Sequence, residues 1–467
     1  MSAQVLWWSQ VFFIGYFVAL NGGYLVLNLL SMVSLRRYMR LRVDLGEDVP
    51  YLGIEPAISL LVPGYNEEAT IRTSVRSMLQ LQYPDFEVVV VNDGSRDGTL
   101  DVLKEEFELQ LHPEPIRRQV AHKPIRGVYR SLRYSNLRVI DKENGGKADA
   151  LNAGINAARH PLFCAVDADS ILQRDSLLRV VQPFLEDDRT IAAGGTVRIA
   201  NGSEVRGGFL VRAGLPQNWV ARFQIVEYLR AFLFGRLGWS PLNAVLIISG
   251  AFGLFNRDRV MAVGGYSTDT VGEDMELVVR LHRHHRERRI PYRIRYVPDP
   301  ICWTEAPEDL GTLGRQRSRW QRGLSESLVR HTRLAMSPRA GAAGLVAWPF
   351  MALFEWLGPL IELFGYVFMI VGSMLGLISY TALCVFLLVA IGMGILLSVN
   401  GLLLEAMSFR VYSRKRDMLL LFAMAVLENF GYRQLNTLWR CRGLWQWITG
   451  RKHNWGVMRR SGKWGQQ

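Results

Sequence analysis

The distribution of charge constrains this chain more than any other feature. Residues 1–35 contain no charged side chain, and between Gly341 and Phe409 the only charged residues are Glu355, Glu362 and Glu405. Apolar stretches of 18 or more residues are long enough to cross a bilayer as helices. Trp7 and Trp8 mark one interface of the first stretch, and Arg36, Arg37, Arg40 and Arg42 follow its other end. Aromatics favour interfaces and arginines favour the cytoplasmic side, so the N-terminus is expected outside. A cleaved signal peptide would need an early positive region and a shorter apolar core, and both are missing. The second stretch fits two spans, about 346–374 and 381–407, with Pro349 and Pro359 allowing a break in the first. Arg410, Arg414, Lys415 and Arg416 then return the chain to the cytoplasm. Met418–Leu427 is too short to cross alone and, with Tyr432–Ile448, reads as interfacial helix.

Composition agrees. Of 467 residues, 49% are hydrophobic and 21% charged, with the apolar excess at the two ends, as in an integral membrane protein. The formal charge is +13. Nucleic acid is one reason for such a charge; arginines flanking apolar spans and facing anionic lipid are the other. The expected partners include membrane lipid and no nucleic acid. The four cysteines form no C-x-x-C pair and read as free thiols.

Between the apolar ends the pattern is α/β. After a linker at 36–56, Ala57–Pro63 and Phe86–Asn92 read as strands and are separated by helix. Such a βαβ unit implies a mostly parallel sheet with ligands at the carboxyl ends of its strands. The strand ends carry suitable chemistry. The first runs into Pro63-Gly64-Tyr65-Asn66-Glu67 and the second into Asp93-Gly94-Ser95. A strand at Leu137–Ile140 leads to Gly145-Gly146-Lys147 before a helix, a fair anion site. A strand at Leu162–Val166 ends in Asp167-Ala168-Asp169, two carboxylates able to share a hard divalent ion with a diphosphate. Residues 112–138, with seven basic residues and one acidic, read as a solvated basic loop.

Ser249-Gly250 is small enough for close approach of a substrate. Glu273-Asp274 opens a helix, where Asp274 is a candidate general base. His282, His284 and His285 follow in an Arg-rich run that argues against a metal site. In Gln316-Arg317-Ser318-Arg319-Trp320, the Gln, the second Arg and the Trp fall on one side of a helix, because positions three and four apart are neighbours. That side offers an amide, a cation fork and a flat ring.

In order and spacing these motifs resemble the processive family 2 glycosyltransferases of membranes, the cellulose, hyaluronan, chitin and poly-N-acetylglucosamine synthases. Wording such as Trp303-Thr304-Glu305 is most similar to bacterial poly-N-acetylglucosamine synthase catalytic subunits. The resemblance covers about residues 55–335. It implies a GT-A, Rossmann-like domain at 57–335, set between an N-terminal helix at 1–35 and two membrane helices at 341–409. Interfacial helices and a cytosolic tail fill 410–467.

The resemblance further implies a UDP-sugar donor and inverting transfer to a growing β-linked polysaccharide that is exported across the inner membrane. Pro63, Tyr65, Asn66, Glu67 and Asp93 would bind the nucleotide. Lys147 and Arg319 would face the diphosphate. Asp167 and Asp169 would hold Mg²⁺ or Mn²⁺, Asp169 more directly. Asp274 would deprotonate the acceptor, and Ser249, Gly250, Glu273, Gln316 and Trp320 would bind it. Trp455, Arg459 and Arg460 lie in a segment resembling the Trp-Gly-x-x-Arg gate of hyaluronan and chitin synthases. A small accessory membrane subunit is a further expected partner. Single transfer to a membrane glycolipid is the alternative reading, since glucosylceramide synthases share much of this motif set. A scaffold that has lost the chemistry fits less well, because the carboxylates the reaction needs are present.

Overall fold

The computed structural model describes residues 3–45, 53–335 and 337–450. Its strands in chain order are β1 (Ile58–Gly64), β2 (Phe86–Asn92), β3 (Leu109–Leu111), β4 (Ile125–Ser131), β5 (Leu137–Lys142), β6 (Leu162–Val166), β7 (Ile171–Leu172), β8 (Thr190–Ile199), β9 (Glu204–Arg206), β10 (Phe209–Arg212), β11 (Phe252–Asn256) and β12 (Arg293–Thr304). Ten of them form one sheet, ordered β3-β4-β5-β2-β1-β6-β11-β8-β12-β7. Its centre, β5-β2-β1-β6, is parallel throughout. Strands covered on both faces need continuous apolar runs. Ile58, Leu60, Leu61 and Val62 of β1 and Val88–Val91 of β2 are accordingly almost fully buried.

The chain passes from β1 out to β2 and β5, then returns to β6 on the other side of β1. Strand order therefore reverses between β1 and β6. Two consecutive loops diverge there and open a crevice at the carboxyl ends. That is where Pro63–Glu67 and Asp167–Asp169 emerge.

Two expectations are corrected. The N-terminal helix runs from Ala3 to Leu45, so the first ten residues of the expected linker are helical. The reason is tertiary: Arg42 Nη1 donates to Asp299 Oδ1 at 3.0 Å, Arg179 Nη1 reaches the same oxygen at 3.0 Å, and the Tyr38 hydroxyl donates to Asp299 Oδ2. Arg42 is thus docked on a buried carboxylate of β12 and not on lipid. Residues 112–138, expected as a solvated loop, contain β4, which pairs antiparallel with β5. Their charges are partly internal: Arg138 is buried and forms an ion pair with Glu87 at 2.7 Å, and Arg130 pairs with Glu114 at 3.0 Å.

Among the described residues, two helices are long and apolar enough to cross a membrane, Gln4–Arg40 and Tyr380–Ser408. A third candidate is the pair Ala343–Trp356 and Gly358–Met374, bent by 46° at a short break. The Lys415–Leu427 helix has 13 residues, about 20 Å of rise, too little to cross. The apolar core of the sheet is continuous with Leu27 and Leu35 of the first helix and with Leu397 and Leu402 of the last span. A buried ion pair adds to it. Arg198 of β8 meets Glu405 of the last span, and Glu405 also accepts from the Val411 N–H at 3.1 Å.

Candidate active site

The helix Leu310–Arg330 carries the Gln-Arg-Ser-Arg-Trp segment and is positioned by two glycine contacts. A Cβ at Gly323 would lie 2.8 Å from the Cα of Gly272, so this helix meets the start of the Glu273–Glu287 helix backbone to backbone. At its other end a Cβ on Gly314 would lie 2.7 Å from the Trp439 ring nitrogen, and one on Gly443 would collide with the Ser318 carbonyl. The first contact sets the helix start that carries Asp274 against the helix that carries Arg319 and Trp320. The second packs the Tyr432–Ile448 helix along the opposite face.

These packings, with the strand ends, enclose a cavity of about 1100 Å³. Every described candidate named from sequence lines it: Pro63, Tyr65, Asn66, Glu67, Asp93, Lys147, Asp167, Asp169, Ser249, Gly250, Glu273, Asp274, Gln316, Arg319 and Trp320. The cavity continues past Phe232 and Trp239 to Asn21, Tyr24, Phe350, Phe354, Glu355 and Glu362 of the membrane helices. Trp455, Arg459 and Arg460 lie outside the described residues.

Gly250 is the hub of the reactive end. Its N–H donates to Asp274 Oδ2 at 3.1 Å, and its carbonyl accepts from Lys147 Nζ at 3.0 Å. Lys147 also forms an ion pair with Asp167. Asp274 Oδ1 accepts from the Met275 N–H at 2.8 Å, which fixes the carboxylate at the helix start. Trp320 is 45% exposed, and the Arg317 guanidinium stacks 4.2 Å from its ring centroid, bracing it from one side. Arg317 is itself buried and held by Glu227 at 2.8 Å, and Glu227 also accepts from the Tyr432 hydroxyl at 2.8 Å. Gln316 Oε1 is buried with no hydrogen-bond partner among the described residues, an acceptor left over for a hydroxyl.

Two of these residues are also engaged within the protein. The Gly145-Gly146 amides, read as an anion site, already hold an anion. Asp93 accepts from the N–H groups of Gly145 at 3.0 Å and Gly146 at 2.7 Å, and from the side chains of Asn144 and Lys142. Asp93 is 3% exposed, so its carboxylate shapes the loop from inside it. Asn66 takes a left-handed φ of 57°, a conformation Asn tolerates better than most residues. Its Oδ1 accepts from the Arg96 N–H at 2.8 Å, tying the loop after β1 to the loop after β2. Sequence reading missed Arg236. This residue ends a π-helical turn, Arg230–Arg236, stacks over Phe232 at 3.9 Å and lines the cavity with Nη1 buried and unpartnered among the described residues. An arginine in an aromatic run gives no signal of this, because the π-turn shifts the helical period.

Residues 59–210 match the family described as glycosyl transferase family 2, and residues 162–397, half of the chain, match glycosyl transferase family group 2. The chain belongs to the family 2 glycosyltransferases. Among curated relatives, the poly-β-1,6-N-acetyl-D-glucosamine synthase of Staphylococcus epidermidis is 30% identical over 58% of this chain and 56% of its own length. That of Staphylococcus aureus strain COL is 32% identical over 58% and 56%. The chain thus spans about half the length of the curated relatives it matches. A solved mannosyltransferase from Pyrobaculum calidifontis, in complex with GDP-mannose and Mn²⁺, shares the fold. It has a TM-score of 0.52 and 18% identity over 90% of this chain and 99% of that one.

In this glycosyltransferase the Asp167-Ala168-Asp169 end of β6 fits a divalent cation. Among the described residues no group of three or more His, Cys, Asp or Glu side chains forms a complete metal cage. Two carboxylates on the cavity wall leave positions for phosphate oxygens, the arrangement Mg²⁺-type ions favour. The histidines are otherwise engaged: His282 bonds Tyr292 Oη and the Val245 carbonyl, and burial pushes it down to about 4.

Glu273 is 8% exposed, and burial, reinforced by Asp274 and opposed by Lys147, raises it from 4.5 to about 7. The sign follows. The favourable protonated form is fully present below 4.5 in either state, and its stabilisation is lost as pH rises through about 7. Between pH 5 and pH 8 the unsubstituted protein should therefore lose stability, on the order of 3 kcal/mol, relative to Glu273→Gln. Thermal unfolding in detergent at the two pH values measures this. Parallel curves for the two proteins would show Glu273 to be ionised throughout.

Proposed function

We propose that this chain transfers a sugar from a UDP-sugar, with inversion, to a growing β-linked polysaccharide, and passes the product toward the membrane. The carrying observation is the single cavity that joins the strand ends of the β1–β6 crevice to the membrane helices. The relatives named as poly-N-acetylglucosamine synthases support the same reading.

In this reading the nucleotide lies against Tyr65 and the loop that Asp93 organises, with the diphosphate toward Lys147 and Arg319. A divalent cation bound by Asp167 and Asp169 would stabilise charge on the departing diphosphate. Trp320 offers its ring to the acceptor sugar and Gln316 an amide oxygen. The acceptor hydroxyl passes its proton to Asp274 as its oxygen bonds the anomeric carbon. The bond from that carbon to the diphosphate breaks on the opposite face, so an α-linked donor gives a β-linkage. Gly250, bonded to both Asp274 and Lys147, sets the base and the diphosphate cation at a fixed separation. In the same reading the catalytic domain lies on the cytoplasmic side of a multi-pass bacterial inner-membrane protein, which the arginines flanking the apolar helices support.

The test is radiolabel transfer by detergent-purified protein offered a panel of UDP-sugars with Mg²⁺ or Mn²⁺, with products sized on a gel. High-molecular-weight product from one donor is expected. A single labelled lipid would move the assignment to glycolipid transfer, and no product from any donor in membranes would refute it.

A further inference from the structure

The bend in the 343–374 pair has an identifiable cause and an unusual consequence. The break falls at Leu357, between the π-helical turn Met351–Trp356 and the helix Gly358–Met374, and Pro359 in the first turn of the second helix has no N–H to offer the Glu355 carbonyl four residues earlier. A carbonyl left without a helical donor among packed helices needs another one. It finds two, both from outside its own helix. Gln321 Nε2 donates to Glu355 O at 3.1 Å and to Trp356 O at 3.0 Å, and Arg440 Nη2 also reaches Glu355 O. Arg440 further donates through Nε to Gln321 Oε1 at 2.8 Å and through Nη2 to the Glu355 carboxylate at 2.8 Å. The other carboxylate oxygen takes the Tyr24 hydroxyl. One junction thus gathers four elements: the N-terminal helix, the bent span, the Tyr432–Ile448 helix and the helix of the Gln-Arg-Ser-Arg-Trp segment.

Gln321 directly follows Trp320. Trp320 and Arg319 face the reactive end of the cavity, while Gln321 is held at the break in the span. A rotation of the Leu310–Arg330 helix that freed Gln321 would carry Trp320 with it, because both sit on one rigid turn. The donor end is built differently: Tyr65, Asp93 and Asp167 follow strands of the sheet directly, and Lys147 opens the helix after β5.

We propose that the break at Pro359, clasped by Gln321 and Arg440, positions the acceptor end of the site. Arg440 and Pro359 are positioning residues that act through Gln321 on Trp320. The inference rests on the transferase reading above and adds to it a mechanical link between a membrane helix and the acceptor platform.

Arg440→Ala, which removes the fork, and Pro359→Ala, which restores the N–H that competes with Gln321 for the Glu355 carbonyl, test it in the full-length protein. Transfer to the acceptor should fall at least tenfold in each. Hydrolysis of the UDP-sugar by water and the KM for the donor should stay within about twofold, so the transfer-to-hydrolysis ratio drops. The double variant should be little worse than the worse single one, as expected of two parts of one junction. Arg440→Lys, which can reach one acceptor but cannot fork between two, should recover only part of the loss. Backbone hydrogen exchange over 314–324 gives a readout that needs no substrate and should quicken in both single variants. Transfer, hydrolysis and donor KM failing together would show a merely structural role and overturn the proposal. Unchanged exchange and an unchanged ratio would overturn it too. No turnover by the unsubstituted protein would instead refute the transferase reading, while the exchange data would still decide the mechanical link.

Discussion

Replacing Asp274 by Asn should reduce sugar transfer by about 10²–10⁴-fold, the range a positioned general base contributes. The substitution keeps the shape of the side chain and one oxygen, enough for the Gly250 or the Met275 N–H but not for both, while proton acceptance is lost. UDP affinity, set by groups at the ends of β1, β5 and β6, should be unchanged. Steady-state kinetics with the active donor, beside UDP titration of the same preparation, separate the two. Turnover retained within a factor of three would exclude Asp274 as the base. In that event Glu273, whose carboxyl is raised to about 7, becomes the group to examine, and Glu273→Gln would carry the loss.

The second large effect is expected at a residue with no chemistry. Gly323 meets Gly272 backbone to backbone, and a methyl group added at Gly323 would lie 2.8 Å from the Gly272 Cα. Neither partner can yield as a flexible side chain would. Gly323→Ala should therefore push the Leu310–Arg330 helix away from the start of the Glu273–Glu287 helix, separating Trp320 and Arg319 from Asp274. Overpacking of this kind costs about 1–3 kcal/mol of stability. A displacement near 1 Å between reacting groups costs on the order of 10²-fold in rate. The protein should still purify and bind UDP, with kcat down by about that factor. Wild-type kcat in Gly323→Ala would mean that this contact does not set the distance across the site.

Much of this was legible along the chain, for reasons that differ by element. The span Leu162–Val166 was readable to the residue, because a strand buried on both faces favours an unbroken apolar run and Asp167 ends it; in Phe86–Asn92 the run Val88–Val91, between Glu87 and Asn92, gave the same signal. The alternation of such runs with helices implied the parallel centre of the sheet, and hence that Tyr65, Lys147, Asp167 and Asp169 would share one end of it. Charge-free stretches located the helices long and apolar enough to cross a membrane, since hydrocarbon tolerates little else. Local rules failed where a partner lies far away in sequence. Arg42 looked like a lipid-facing charge until Asp299, 257 residues on, claimed it. The 112–138 segment looked like a basic loop because its acidic partner Glu87 lies on another strand.

The sequence by itself determined that the chain must combine an α/β sheet with helices apolar enough to cross a membrane, and which polar residues would gather at one end of that sheet, since periodicity and hydrophobicity are properties of short windows. Only the tertiary structure decided what each carboxylate is free to do and how the groups are spaced. Asp93 and Asp274 are both acidic residues near the carboxyl end of the sheet. One is enclosed by the amides of Gly145 and Gly146; the other touches the amides of Gly250 and Met275 on a cavity wall. The carbonyl freed by Pro359 could be foreseen from the sequence. That Gln321 and Arg440 would take it could not, because hydrogen bonds between distant segments are fixed by packing and not by spacing along the chain.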